Sequence, residues 1–151
     1  VPFKIDLDAD KREESKDVSE KSIKGMHVLL AEDNELNMEI AEFLLQNEGA
    51  EVTKAWNGQE IVELFRKSES GEFDVILMDI MMPIINGYEA AKRIRSLDRE
   101  DAKKIPIIAM TANAFTEDRI RAKEAGMDEH VAKPIDVELL IKVIHKLVKH
   151  N

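Results

Sequence analysis

In this chain of 151 residues, three carboxylates, a hydroxyl and an amine follow directly on apolar runs. Glu32 and Asp33 follow HVLLA, Asp79 follows DVILM, Thr111 follows IPIIAM and Lys133 follows HVA. If the ends of those runs converge, all five groups share one pocket. Three clustered carboxylates repel one another unless a cation sits among them, and their oxygens suit a hard divalent ion such as Mg²⁺ (or Mn²⁺). A carboxylate can also attack phosphorus and form an acyl phosphate. Phosphoryl transfer asks for little acid–base machinery. It asks for neutralisation of the charge on the transferred oxygens, which a metal, a lysine and a hydroxyl or backbone donor supply. Any one of these residues alone is an ordinary strand-end residue of an α/β protein, so only the set has chemical meaning.

The elements that must position the set are readable from the pattern. After Gly25 short aliphatic runs alternate with amphipathic stretches. Strands are expected at His27–Ala31, Glu51–Ala55, Asp74–Met78, Ile105–Met110 and His130–Ala132, the last being the weakest. The first, third and fourth are nearly unbroken apolar runs, as central parallel strands covered on both faces require. Asn57-Gly58-Gln59-Glu60 reads as a capping box before the stripe Ile61, Leu64, Phe65. Gly49 and Gly126 read as left-handed residues closing helices, and Asp136 as the cap of a last helix with stripe Leu139, Leu140, Val143, Ile144 and Leu147. A further helix is expected from Gly87 to Leu97. Five βα units with right-handed crossovers make an α/β fold, a doubly wound five-stranded parallel sheet with five helices on its two faces. Ligands of such sheets bind outside the carboxyl ends of the strands, which is where the five polar groups fall.

Composition narrows the function. The net charge is -9, from 31 acidic against 22 basic residues, which disfavours nucleic acid and anionic membranes as partners and favours cations. There is no cysteine, hence no disulfide, thiolate metal site or thiol nucleophile, and the cytoplasm is the natural compartment. No apolar run approaches the roughly 18 residues that a membrane span needs. Residues 1–25 read as a charged linker, since Asp6 to Lys24 has hardly anything apolar to bury; a long charged helix is the competing reading. The stub Val1-Pro2-Phe3 and the missing initiator Met are expected of a chain cut from a longer protein. The Met78, Met81 and Met82 cluster reads as core filler and loop packing, because thioethers suit soft metals and this site is hard. Trp56 reads as a packing residue or part of a partner surface.

The motifs LLAEDN (Leu29–Asn34), VILMDIMMPIINGYE (Val75–Glu89), IIAMTANA (Ile107–Ala114) and AKP (Ala132–Pro134) occur in order at the strand ends. With them the chain, from about Met26 to Val148, resembles the receiver domain of two-component signalling, the CheY-like response-regulator family. The resemblance implies a flavodoxin-like fold of strand order 2-1-3-4-5, with residues 26–151 as the receiver domain. It implies that Asp79 is the phosphoacceptor, taking a phosphoryl group from a phosphohistidine. It implies Mg²⁺ (or Mn²⁺) held by Glu32, Asp33, Asp79 and the backbone carbonyl of Met81. Lys133, Thr111 and Ala112 would receive the phosphoryl group, Thr111 as the switch hydroxyl and Ala112 as the small neighbour that leaves room. Pro134 matches the proline that typically follows a cis peptide, and Gly87 permits unusual backbone geometry in the loop after the site.

One position departs from the family pattern. Position 130, where most receivers carry Tyr or Phe that turns inward when the switch hydroxyl moves, is His130. Imidazole has less apolar area to bury and can carry charge, so a smaller switch is expected. The wording DIMMPIINGYE and MTANAF resembles receivers attached to hybrid sensor kinases. On that reading the linker is the tail of a kinase ATPase domain, and the partners are a histidine kinase domain and a histidine phosphotransfer protein. No nucleic acid and no membrane contact by this domain are expected. The domain is expected to be a monomer or weak dimer, in the cytoplasm or on the cytoplasmic side of a membrane-bound kinase. Two alternatives belong to other classes: an aspartyl-phosphate metal-dependent phosphatase of haloacid-dehalogenase type, and a phosphorylation-independent interaction module. The first needs a second Asp two residues after the nucleophile, where this chain has Met81.

Overall fold

The computed structural model describes residues 23–112 and 116–149. The proposed linker up to Ser22 and its competing helical reading lie outside the described residues. Five strands alternate with helices: β1 (His27–Ala31), α1 (Glu35–Asn47), β2 (Glu51–Ala55), α2 (Gly58–Lys67), β3 (Val75–Asp79), α3 (Gly87–Arg95), α4 (Glu100–Lys104), β4 (Ile107–Thr111), α5 (Thr116–Glu124), β5 (Glu129–Ala132) and α6 (Val137–Lys149). All pairings are parallel, in the order β2-β1-β3-β4-β5.

The period of two along each strand sorts its side chains between two cores. Leu29 and Ala31, Ile76 and Met78, and Ile107 and Ala109 face one side, where they meet Ile61 and Phe65 of α2, Ala91 and Ile94 of α3 and Ala122 of α5. Val28 and Leu30, Val75 and Leu77, and Ile108 and Met110 face the other, against Met38, Ala41 and Leu45 of α1 and Leu140 and Ile144 of α6. Every residue of β3 and β4 is buried, which is why those runs carry no polar alternation.

Three details differ from the sequence expectation. The described residues hold six helices, because the single turn α4 precedes β4; at five residues, four of them charged, it is too short to show a helical stripe. Strand β5 starts one residue earlier than expected, β3 runs one residue later and β4 starts two residues later, so Asp79 and Thr111 are the last residues of their strands. Helix α3 ends at Arg95, two residues before the expected end. Gly49 and Gly126 do adopt positive φ, 92° and 97°, at the ends of α1 and α5, and Asp136 Oδ1 accepts the Glu138 and Leu139 amides at 3.1 and 3.3 Å as α6 begins.

Candidate functional site

Three successive strands pass into helices through an asparagine. The side-chain oxygens of Asn34, Asn57 and Asn86 accept the amides of Asn37 at 2.9 Å, Glu60 at 2.7 Å and Glu89 at 2.9 Å. Each cap satisfies an amide that the first helical turn would otherwise leave open, and so fixes where the helix leaves the carboxyl edge of the sheet. At the second cap, Glu60 reaches back to the Trp56 amide at 2.5 Å, one residue earlier than a standard capping box.

The connection after β1 carries Glu32 and Asp33, and β3 ends in Asp79. One carboxylate oxygen from each of the three lies within 4.8 Å of the others. Glu32 and Asp79 are each 3% exposed, whereas Asp33 is open to solvent. Fixed partners aim the two buried groups. Glu32 Oε2 accepts the Asn34 amide at 3.1 Å, and Asp79 Oδ1 accepts the Met81 amide at 3.3 Å. Lys133 bridges the pair, its Nζ lying 2.9 Å from Asp79 Oδ2 and 3.1 Å from Glu32 Oε1. Burial opposes the charge of Lys133, but hydrogen bonds to Asp79 and Glu32, and the negative charge of both, outweigh it and hold the ammonium above the usual lysine range. One ammonium against three carboxylates leaves the cluster short of positive charge. Three hard oxygen donors at this spacing, with that excess of negative charge, fit a divalent cation of the Mg²⁺ kind.

Lys133 stands just past β5, and its amide donates to the Thr111 carbonyl at 2.9 Å, which ties the lysine to the end of β4. The Lys133–Pro134 peptide is cis. Thr111 is 8% exposed, and Ala112 after it is exposed. The loop between β3 and α3 folds back onto the site. The Gly87 amide donates to the Ile80 carbonyl at 2.8 Å, and a Cβ at Gly87 would lie 2.5 Å from the Asp79 carbonyl oxygen, so only glycine lets the start of α3 come this close. Ile84, in the same loop, has φ 74° and is 68% exposed, an unfavourable backbone region for a β-branched residue. The three methionines separate: Met78 and Met82 are core residues as expected, but Met81 is 77% exposed at the mouth of the site and fills no core. Trp56 is 38% exposed at the end of β2.

Several residues that shape the site carry no sequence signal. Gly58 reads as an ordinary first-turn residue, yet a Cβ there would collide with the Ile85 backbone of the β3–α3 loop, so its absence allows α2 to support that loop. Arg119 of α5 donates to His130 of β5, a contact no local pattern announces.

Residues 28–145 match the response regulator receiver domain family, and the chain belongs to that family. It is 40% identical over 120 residues to hybrid signal transduction histidine kinase I of Dictyostelium discoideum, covering 78% of this chain and 7% of that protein. It is 35% identical over 161 residues to histidine kinase 1 of Arabidopsis thaliana, covering 87% of this chain and 13% of the kinase. The chain thus spans a small part of either kinase. Among solved structures it resembles the receiver domain of a sensor histidine kinase from Pseudomonas aeruginosa, described with a magnesium ion coordinated in the active site cleft. The TM-score is 0.74 at 34% identity, covering 83% of this chain and 98% of that one. It also resembles a chain in the co-crystal of a Saccharomyces cerevisiae histidine phosphotransfer signalling protein with the receiver domain of its downstream response regulator. There the TM-score is 0.73 at 29% identity, with coverage of 83% and 90%. No helix among the described residues is long and apolar enough to cross a membrane.

Proposed function

We propose that this receiver domain accepts a phosphoryl group on Asp79 from a phosphohistidine. The observation that supports this best is one buried carboxylate at the end of the central strand β3, within 4.8 Å of Glu32 and Asp33 and 2.9 Å from Lys133. An Asp79 oxygen forms the new bond to phosphorus as the phosphorus–nitrogen bond to the donor imidazole breaks, leaving the histidine neutral once it holds a single proton. Asp79 Oδ2 is the oxygen that Lys133 now holds, so the long lysine stem has only to follow it onto the phosphoryl oxygens. Thr111 supplies a hydroxyl to the same group, and Ala112 leaves room for it. Mg²⁺ (or Mn²⁺) would be held by Glu32, Asp33, Asp79 and the Met81 carbonyl, and when bound it neutralises charge on the transferred oxygens.

The drawing of Thr111 toward the phosphoryl group is the first move of the switch, and His130 is its neighbour. In the β4–β5 register Ala109 pairs with His130 and Thr111 with Ala132, so on one face of the sheet the imidazole lies beside a small residue and one step from the moving hydroxyl. The donor and acceptor partners are a histidine kinase domain and a histidine phosphotransfer protein. The exposed Leu36, Ile40 and Phe43, at i, i+4 and i+7 of α1 beside the site, give a helical partner of that kind an apolar face. Residues 1–25 join this domain to the ATPase domain of a hybrid kinase, on the cytoplasmic side.

Intact-protein mass after incubation with acetyl phosphate and Mg²⁺ tests the assignment. The wild type should gain a single phosphoryl group, and Asp79→Asn, which keeps the shape without the nucleophile, none. Equal labelling of both proteins would place the acceptor elsewhere.

A further inference from the structure

His130 is held by a contact that constrains its chemical state. The Arg119 Nε–H donates to His130 Nε2 at 3.0 Å. A guanidinium has only donors and keeps its charge, so Nε2 must offer a lone pair. An imidazole that accepts this bond is neutral, with its proton on Nδ1. The charged groups that line the same cleft are Arg119 and Lys123 of α5 and, at the start of β5, Asp128 and Glu129. Nδ1 lies 4.0 Å from Glu129 Oε1, whose other oxygen is taken by Lys146 of α6 at 3.2 Å. From β4 the ring's direct pairing partner is uncharged Ala109.

The side chain of His130 is 16% exposed, and Arg119 lies on the solvent side of α5, so this contact links α5 to β5 near the surface. A ring that turns along the sheet face over Ala109 toward Thr111 leaves the position in which Arg119 holds it. We propose that Arg119 is a positioning residue for the switch. Its hydrogen bond to neutral His130 pins the imidazole beside α5, and the movement of His130 that follows phosphorylation breaks this bond and loosens α5 from β5. The coupling rests on the Asp79 reading above; the pinned ring state does not.

Ring-nitrogen NMR of histidine-labelled protein at pH 8 reads the pinned state without any phosphodonor. The wild type should show His130 protonated at Nδ1 and bare at Nε2. Arg119→Ala should lose that single tautomer, and Arg119→Lys, which keeps a donor, should restore part of it. A wild-type ring protonated at Nε2 would overturn the proposal. Beryllofluoride with Mg²⁺ then reads the coupling. In the wild type it should abolish the Nδ1–H signature and shift the amides of residues 119–124. In Arg119→Ala the turned ring should be favoured roughly fivefold more, while acetyl phosphate labels Asp79 at the wild-type rate. Amides around Asp79 that shift while His130 keeps its tautomer would refute the coupling alone. If the amides around Asp79 do not respond either, the phosphoacceptor reading fails with it.

Discussion

The two ends of the sheet handle charge in opposite ways. At the carboxyl end Glu32, Asp33 and Asp79 crowd together with Lys133 as their cation, and the loop beside them holds Ile84 at a positive φ. At the amino end and flank, two arginines are paired with carboxylates and each has a structural task. Arg99 pairs with Asp101 through two bonds of 3.0 and 2.7 Å, donates to the carbonyls of Phe65 at 2.7 Å and Ser68 at 3.0 Å, and lies over the Phe65 ring. It thus closes the end of α2, whose last carbonyls have no partner within the helix. Arg95 in turn ties α3 to the Gly126 carbonyl at 2.9 Å and to Asp128 at 2.9 Å. One end accumulates repulsion that a cation can offset, and the other holds satisfied pairs that keep the scaffold closed.

Removing a carboxylate from the crowded end should cost chemistry and spare the fold. Asp33→Ala is expected to weaken Mg²⁺-dependent phosphorylation at least tenfold, a typical effect of disturbing a metal's surroundings. Without metal it should melt no lower than the wild type, since one of three mutually repelling charges is gone. Unchanged Mg²⁺ dependence in a titration would remove Asp33 from the ligand set.

The paired end should behave in reverse. Arg99→Ala leaves the carbonyls of Phe65 and Ser68 without their donor and Asp101 without its cation, and is expected to cost about 2–3 kcal/mol in urea unfolding, with acetyl phosphate labelling of Asp79 intact. A mutant as stable as the wild type would show that the pairing closes nothing.

Asp101 makes the contrast pH-dependent. Burial raises its pKa, but the Arg99 hydrogen bond, the Gly71 amide, the Arg99 charge and the Ala102 amide together hold the carboxyl below the usual carboxylate range. Its contribution is therefore fully present above the unfolded value of roughly 3.9 and is lost as pH falls through the lower folded value. Asp101→Asn should cost about 1 kcal/mol at pH 7, and the difference from the wild type should vanish as the solution is acidified below that folded value. Thermal melts across that range decide it, and a gap that persists at the acid end would contradict the assignment.

The smallest effect should be a gain. Ile84→Asn keeps the left-handed turn with a residue that tolerates it, and should raise stability by about 1 kcal/mol. A loss of stability would mean that the Ile84 side chain contributes more than its exposed position indicates.

Much of the fold follows from local pattern. Continuous apolar runs marked β1, β3 and β4 because strands covered on both faces have no solvent side to make polar. Gly49, Gly126 and Asp136 marked helix ends because positive φ and capping act within a few residues. The polar groups of the site could be picked out because an abrupt change from VLLA to Glu32-Asp33, or from VILM to Asp79, is a local signal at a place the topology makes functional. Helix α4 escaped because one charged turn has no periodicity to read.

What the tertiary structure alone decided lies in contacts between residues far apart in the chain. Arg99 finds the end of α2 more than 30 residues upstream, Arg95 finds Asp128 33 residues on, and Gly58 matters only because Ile85 comes down on it. His130 appeared in the sequence as a departure from a family pattern, and its contact with Arg119 arose only when α5 set that residue beside it. Propensity and hydrophobic period act over a turn of helix or a pair of strand residues, so they specify elements and their faces. The partner of a long charged side chain depends on where the sheet order and the crossovers bring the next element, and that is settled when the two cores close.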